Sequence, residues 1–242
     1  MTKKYFIISD IHGHYDEMIR DLNIHKYNPN DINHHLLVLG DLFDRGTQSK
    51  EVLEYMYNLR LKNRVTIILG NHDTFLIQFL DGEYKKLLFN MTHNGFKSTL
   101  ESLVGRSLTF DENWNDINYE IKSKYIYLYN FISTQHLYIE IGKYIFVHGG
   151  IIYNNGDWKN NEERDYTWSR ESNLERIPGK IVVSGHERVS KIRFPNMNQE
   201  ELVLKNPDAF NILEMEGKIL IDSYVEISKK INVLILELEG ED

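Results

Sequence analysis

The chain has 242 residues, 41% of them hydrophobic and 26% charged, and a formal net charge of −8. This composition excludes a disordered chain, and the acidic balance leaves no basic footprint for nucleic acid. Cysteine is absent, so disulfides and thiolate metal sites are excluded and any metal must be held by His, Asp, Glu or Asn. The apolar run before Asp10 is too short for a leader or a membrane span, so a cytoplasmic protein without membrane attachment is expected. No repeat, low-complexity stretch or linker divides the sequence, and residues 1–242 are read as one domain.

In chain order, Tyr5–Ile8, Leu36–Leu39 and Val65–Leu69 are short continuous apolar runs, the pattern of strands buried on both faces. Each is followed at once by a polar, glycine-containing loop and then by a helical pattern, for example Tyr15–Ile24 and Gln48–Leu61. Strand, loop and helix repeated three times predict a parallel α/β sheet with its polar loops gathered at one end. Residues 75–131 read as mostly helical, with Leu87, Met91, Leu100 and Leu103 at helical spacing. Strands return at His136–Ile141, Tyr144–Val147 and Ile181–Ser184. Phe210–Met215 and Lys218–Ile221 flank Glu216-Gly217 as a hairpin, and Ile231–Leu238 supplies a last strand. The fold expected is α/β, with two mixed sheets packed as a central sandwich flanked by helices.

Five of the loops carry one kind of chemistry. Asp10 and His12 follow the first run, Asp41 the second, and Asn71 and His72 the third. His148 and His186 follow the Tyr144 and Ile181 runs. A mixed carboxylate, amide and imidazole set suits Mn, Fe or Zn, and so many groups exceed one tetrahedral site. They suit two ions roughly 3.5–4 Å apart. Asp41 and Asn71, taken as central in the strand order, are the natural bridging ligands. Two Asp carboxylates leave positive charge over for a phosphate group. Singly, Asp10 or Asp41 could be a helix cap. His14, His25, His34, His35, His93 and His136 are read as ordinary core or surface histidines.

At these residues the chain resembles the calcineurin-like metallophosphoesterases, and more narrowly the PPP-type serine/threonine phosphatases and their bacterial and bacteriophage relatives. The GDxHG pattern appears as Ser9-Asp10-Ile11-His12-Gly13, with Ser for the first Gly. GDxxDRG is matched by Gly40–Gly46 and GNH[DE] by Gly70–Asp73. The later HGG and GH elements are His148-Gly149-Gly150 and Gly185-His186. Asn94-Gly95 with Thr99-Leu100 is similar to an NGGxxTL segment, with Phe96 for a Gly, and Ile221-Asp222-Ser223 is a weak further match. Thr47 stands where many relatives have Pro.

The resemblance implies the four-layer metallophosphoesterase fold and two divalent ions, Mn²⁺ first, with Fe or Zn as other choices. Asp10, His12 and Asp41 would hold one ion; Asp41, Asn71, His148 and His186 the other. His72 would protonate the leaving group, Asp44 would orient it, and Arg45 would bind phosphate oxygens. Trp168-Ser169-Arg170 fits the setting of a second phosphate-binding arginine, so Arg170 is expected there, with Arg164 as the fallback.

The leading expectation is a phosphatase that attacks phosphoserine or phosphothreonine in proteins with a metal-bound hydroxide. Retention of both Asp44 and His72 favours it, since an alkoxide leaving group needs a proton donor. The second is a dinucleoside polyphosphate hydrolase acting on a small phosphate substrate; in that branch the position of Asp44 tends not to be Asp. A non-catalytic phosphate-binding relative is third, and would have lost ligands. Residues 75–131 and Tyr153–Arg176 are expected to wall the metals, their aromatic residues mostly packing.

Overall fold

In the computed structural model, which describes residues 2–153 and 156–239, the first three apolar runs become β1 (Thr2–Ile8), β2 (His34–Leu39) and β3 (Val65–Ile68). Positions 154 and 155 of the expected wall segment lie outside the described residues. The three strands pair in parallel in the order β3-β2-β1, with Phe6 opposite Leu36 and Val38 opposite Ile67. Helices α1 (Tyr15–Ile24) and α2 (Ser49–Leu61) make the crossovers. The other edge of β1 is taken by the last strand, β9 (Leu234–Glu239), running antiparallel. The C-terminal strand thus belongs to the first sheet, because β1 offers an unpaired edge there.

Beyond β3 the chain is helical through α3 (Asn71–Leu80), α4 (Tyr84–His93), α5 (Phe96–Val104), α6 (Trp114–Lys124) and α7 (Leu128–Ser133), as the spacing predicts. These helices bury Leu87, Met91, Leu100 and Leu103 with the outer face of the first sheet. Phe96, where the related motif has Gly, is fully buried against Phe75 and Phe79.

The second sheet has the order β4-β5-β6-β8-β7, built from Tyr138–Ile141, Tyr144–Val147, Ile181–Ser184, Lys218–Leu220 and Leu213–Met215. The strands β5, β6 and β8 are parallel, and β4 and β7 pair antiparallel at the edges. His136 falls outside β4; its backbone bridges to Ile68 of the first sheet instead. Phe210 likewise leaves the predicted hairpin for a short 3-10 turn, Pro207–Phe210.

The sheets face each other through Ile7, Leu37, Leu39 and Ile68 on one side and Phe146, Val183 and Ile221 on the other. Burying each such side chain stabilises the fold by about 1.5–3 kcal/mol. The outer face of the second sheet is covered by less helix: α8 (Glu163–Trp168) and loop residues, with Trp158, Tyr166 and Ile177 packed on Ile145 and Val182. The small helices α9 (Val189–Arg193), α10 (Gln199–Lys205) and α11 (Val225–Ser228) complete the chain. No helix among the described residues is long and apolar enough to cross a membrane.

Candidate metal centre

The C-terminal ends of β1, β2, β3, β5 and β6 meet at one end of the sandwich, and their loops lock into one another. Asp10 N donates to Gly40 O at 3.1 Å, His12 N to Asp41 O at 2.9 Å, and Gly46 N to His12 O at 2.8 Å. Asp10, His12, Asp41, Asp44, Arg45 and His186 all have positive φ, between 47° and 75°. Left-handed backbone costs about 1–2 kcal/mol per L-residue, and here the cross-bonded loops impose it. A Cβ on Gly70 would lie 2.2 Å from Asp41 N, and one on Gly185 2.3 Å from Asp10 Oδ2. These glycines therefore let loop approach loop.

Two donor groups result: His12, Asp41 and His72, and Asp41, His148 and His186, the atoms within each lying within 4.8 Å of one another. Asp41 is common to both. Its Oδ2 is 3.5 Å from His12 Nε2 and its Oδ1 is 3.4 Å from His148 Nε2. Asp10 Oδ1 stands 3.9 Å from His12 Nε2, and the Asp10 carboxylate accepts His186 N–H at 3.0 Å. Asp41 does end a central strand, but Asn71 follows β3, which the strand order puts at the sheet edge rather than centrally. Asn71 reaches the centre because α3 starts there, its Oδ1 lying 2.9 Å from His148 Nε2.

The donor set fits a cation. His148 Nδ1–H donates to Leu39 O at 2.7 Å and His12 Nδ1–H to Phe43 O at 2.9 Å, so each neutral ring turns a lone pair on Nε2 inward. Burial lowers the pKa of both rings and keeps them neutral. His148 Nε2, Asn71 Oδ1 and Asp41 Oδ1 then converge with no proton among them, an arrangement that a divalent ion satisfies. Burial opposes ionisation of Asp41, yet its carboxyl lies below the usual range, and of the imidazoles around it His72, with its own pKa raised, is the one that carries charge. Burial, with Asp222 and Asp41 nearby, pushes Asp10 upward.

His72 belongs to the first group by distance, yet both its nitrogens are engaged. Nδ1–H donates to Asp44 Oδ2 at 2.7 Å, and Nε2 accepts from Arg45 Nη2 at 3.1 Å. Burial lowers its pKa, but Asp41 and Asp44 outweigh this and the net shift is upward. Asp44 is fixed by Thr99, whose hydroxyl donates to Oδ1 at 2.7 Å and accepts Asp44 N–H at 2.8 Å.

The expected arginines divide. Arg45 and Arg170 line a cavity of about 660 Å³ over the donors, with Asp10, Asp41, Asn71, His72 and His186 on its floor. Arg164 is exposed elsewhere. Among the aromatic residues singled out, Tyr125, Trp158 and Tyr166 are buried, whereas Trp168 is 46% exposed and lines the cavity. Of the histidines read as ordinary, His25 bonds Asp21 O, His34 and His35 bond Asn28 N and Thr66, and His93 stacks on Phe89.

Several residues at the site have no role assigned from the sequence. Asp73, the last position of the GNH[DE] match, accepts N–H bonds from Gly70, Asp41 and Leu42, and burial raises its pKa to about 8. Arg188 and Lys191 line the cavity, and Glu226 bonds Arg45.

A calcineurin-like phosphoesterase model matches residues 3–213. The chain belongs to the calcineurin-like phosphoesterase family. The family match and the His/Asp cluster agree in pointing to divalent-metal binding. Over 72 residues it is 47% identical to the symmetrical bis(5'-nucleosyl)-tetraphosphatase of Buchnera aphidicola, a stretch covering 30% of this chain and 25% of that one. Over 155 residues it is 31% identical to the asymmetrical bis(5'-nucleosyl)-tetraphosphatase PrpE of Bacillus subtilis, covering 61% and 57%. The matches to the Buchnera and Bacillus relatives thus span from about a quarter to just over half of their lengths. A solved cold-active protein tyrosine phosphatase shares the fold, with a TM-score of 0.58 at 19% identity over 98% of this chain and 74% of that one. These curated relatives favour the second expectation, the polyphosphate hydrolase, over the protein phosphatase, and a phosphorylated protein partner gains no support from them.

Proposed function

We propose that this phosphoesterase cleaves the phosphoanhydride chain of a dinucleoside polyphosphate. The observation that carries the reading is the cavity wall. Beyond the metal donors it presents Arg45, Arg170, Arg188 and Lys191, with the half-exposed indole of Trp168 at its side. A lone phosphate needs fewer cations; a phosphate chain carries charge along its length, and a nucleobase has a face to stack on an indole. The tetraphosphatase relatives point the same way.

In this reading Asp10, His12 and Asp41 would hold one divalent ion and Asp41, Asn71, His148 and His186 a second, Mn²⁺ being the first choice. Bound ions supply a water of lowered pKa and neutralise phosphate charge. Arg45 and Arg170 grip the oxygens of the attacked phosphate as forked donors. His72, whose raised pKa favours the doubly protonated ring, would in that state carry a proton on Nε2 and give it to the departing oxygen, while Asp44, braced by Thr99, keeps the ring oriented.

The Asp44–His72 pair also supports a second reading, a phosphomonoesterase, because an alkoxide leaving group needs the proton more than a nucleotide phosphate does. A Mn²⁺-supplemented comparison of diadenosine tetraphosphate, phosphopeptides and p-nitrophenyl phosphate separates the two. The tetraphosphate is expected to give the highest kcat/KM, by roughly tenfold or more. A phosphopeptide cleaved faster than the tetraphosphate overturns the anhydride reading.

A further inference from the structure

Arg188 lies two residues past His186 and belongs to none of the motifs around the metal centre. It lines the cavity together with Arg45 and Lys191. Its guanidinium sits 3.8 Å from the centre of the Tyr224 ring, and its Nη2 donates to Glu226 Oε1 at 3.2 Å. The same oxygen accepts from Arg45 Nη1 at 2.6 Å. Glu226 Oε2 is buried with no hydrogen-bond partner among the described residues. Glu226 is not part of the cavity lining, so one carboxylate oxygen ties the two arginines together from outside the cavity.

The arginines come from different halves of the molecule, Arg45 from the loop after β2 and Arg188 from the loop after β6. Side by side their charges repel, and the shared carboxylate offsets this. Burial opposes ionisation of Glu226, but the Arg45 and Arg188 guanidiniums that share its Oε1 favour the charged form, and its pKa is lowered to about 2. The chain strains to place it. Tyr224, φ +55°, and Lys229, φ +52°, are left-handed non-glycine residues at the two ends of the single-turn helix α11. Asp222 Oδ1 holds the first of them by accepting Tyr224 N–H at 2.7 Å. Imposed strain beside a reactive centre points to a functional demand. Lys191, three residues beyond Arg188, adds a further cation on the same wall.

We infer that Arg188, held beside Arg45 by the positioning residue Glu226, binds the phosphate next to the one under attack, so that the pair reads a pyrophosphate unit rather than a lone phosphate. This subsite rests on the polyphosphate reading above and sharpens its substrate class to a chain with at least two linked phosphates at the metal centre.

The test is calorimetric titration of Mn²⁺-loaded protein, at fixed free Mn²⁺, with pyrophosphate and with inorganic phosphate. Wild type is expected to bind pyrophosphate more tightly than phosphate. Arg188→Gln should lose roughly tenfold in pyrophosphate affinity with phosphate affinity changed less than about twofold, one charged hydrogen-bonding contact being at stake. Glu226→Ala should lose part of the preference, and Glu226→Gln, which keeps an acceptor oxygen for the arginines, should regain most of it. Melting curves and Mn²⁺ content confirm that each variant is folded and loaded. Absence of a pyrophosphate preference in wild type, or an equal loss for both anions in Arg188→Gln, overturns the subsite. A preference that persists in a wild-type protein unable to cleave diadenosine tetraphosphate supports the subsite and removes the dinucleotide instead.

Discussion

The loops after β1, β2 and β3 and those after β5 and β6 bring similar side chains to one place by different means. In the first set the backbone is the device: Asp10, His12, Asp41, Asp44 and Arg45 are left-handed, cross-bonded and seated against glycines. In the second set His186 is also left-handed and Gly185 abuts Asp10, but buried charged side chains hold the loops as well. Glu171 accepts Ile151 N–H while Lys218 Nζ donates to Glu171 O, and Glu187 accepts from Ser172 N–H and hydroxyl. Burial raises the Glu171 carboxyl to about 7, so that brace rests on ordinary hydrogen bonds more than on a full ion pair. The first set carries Asp10, His12, Asp41 and Asn71 in short motifs. The second leaves Trp168, Arg170, Arg188 and Lys191 along the cavity, where substrates can be distinguished.

The contrast can be broken at several points. Asp41, shared by both donor groups, should matter most. Asp41→Ala is expected to lose Mn²⁺ and more activity than the roughly 10⁴-fold upper limit for a lost proton donor, measured by metal analysis and turnover. Retention of both metal and turnover would take Asp41 out of the centre. His72→Asn should cost roughly 10²–10⁴-fold in rate with metal content intact. Trp168→Ala, in the second set, should raise KM for diadenosine tetraphosphate on the order of tenfold and leave p-nitrophenyl phosphate unaffected, as one stacked base predicts. An equal effect on both substrates would make the indole a packing residue.

Gly70→Ala should lower stability by about 1–3 kcal/mol in denaturant unfolding, since its methyl group would overlap Asp41 N. Gly179, with nothing within 4 Å of a Cβ, is the matched control, although its positive φ adds a smaller strain. The gentlest test lies outside the site. Burial, with Lys3 and Arg64 nearby, lowers His35 to about 4 from 6.5, so the folded ring stays neutral while the unfolded one takes up a proton. Its contribution is complete above pH 6.5 and declines as pH falls toward 4. His35→Gln should flatten the stability profile in that window; an unchanged slope would remove His35 as its source.

The residues that could be read in advance were those whose chemistry is local in the chain. Apolar runs ending in Asp, His and Gly located β1, β2, β3, β5 and β6, and the donor residues followed. Glu226 and Arg188 could not be read this way, because each acts on a partner from a distant loop and has no pattern of its own; Thr99 fell in a matched segment, but its bond to Asp44 is not legible there. The helices α9, α10 and α11 are too short for a periodicity to show. The edge position of β3 and the return of β9 to the first sheet depend on which strand edges stay open, and that is decided in three dimensions.

The pairing of β1 with β9 also sets an order of events. Thr2 faces Glu239 and Ile7 faces Leu234, so the strand leading to Asp10 keeps one edge open until the residues up to Glu239 have been made. At typical rates of synthesis that interval is on the order of tens of seconds. During it β1 is a template for any other extended segment. The end of the sheet that carries Asp10 therefore becomes secure only once Leu234–Glu239 is in place, and the protein's yield in a cell will depend on what shields that edge in the meantime.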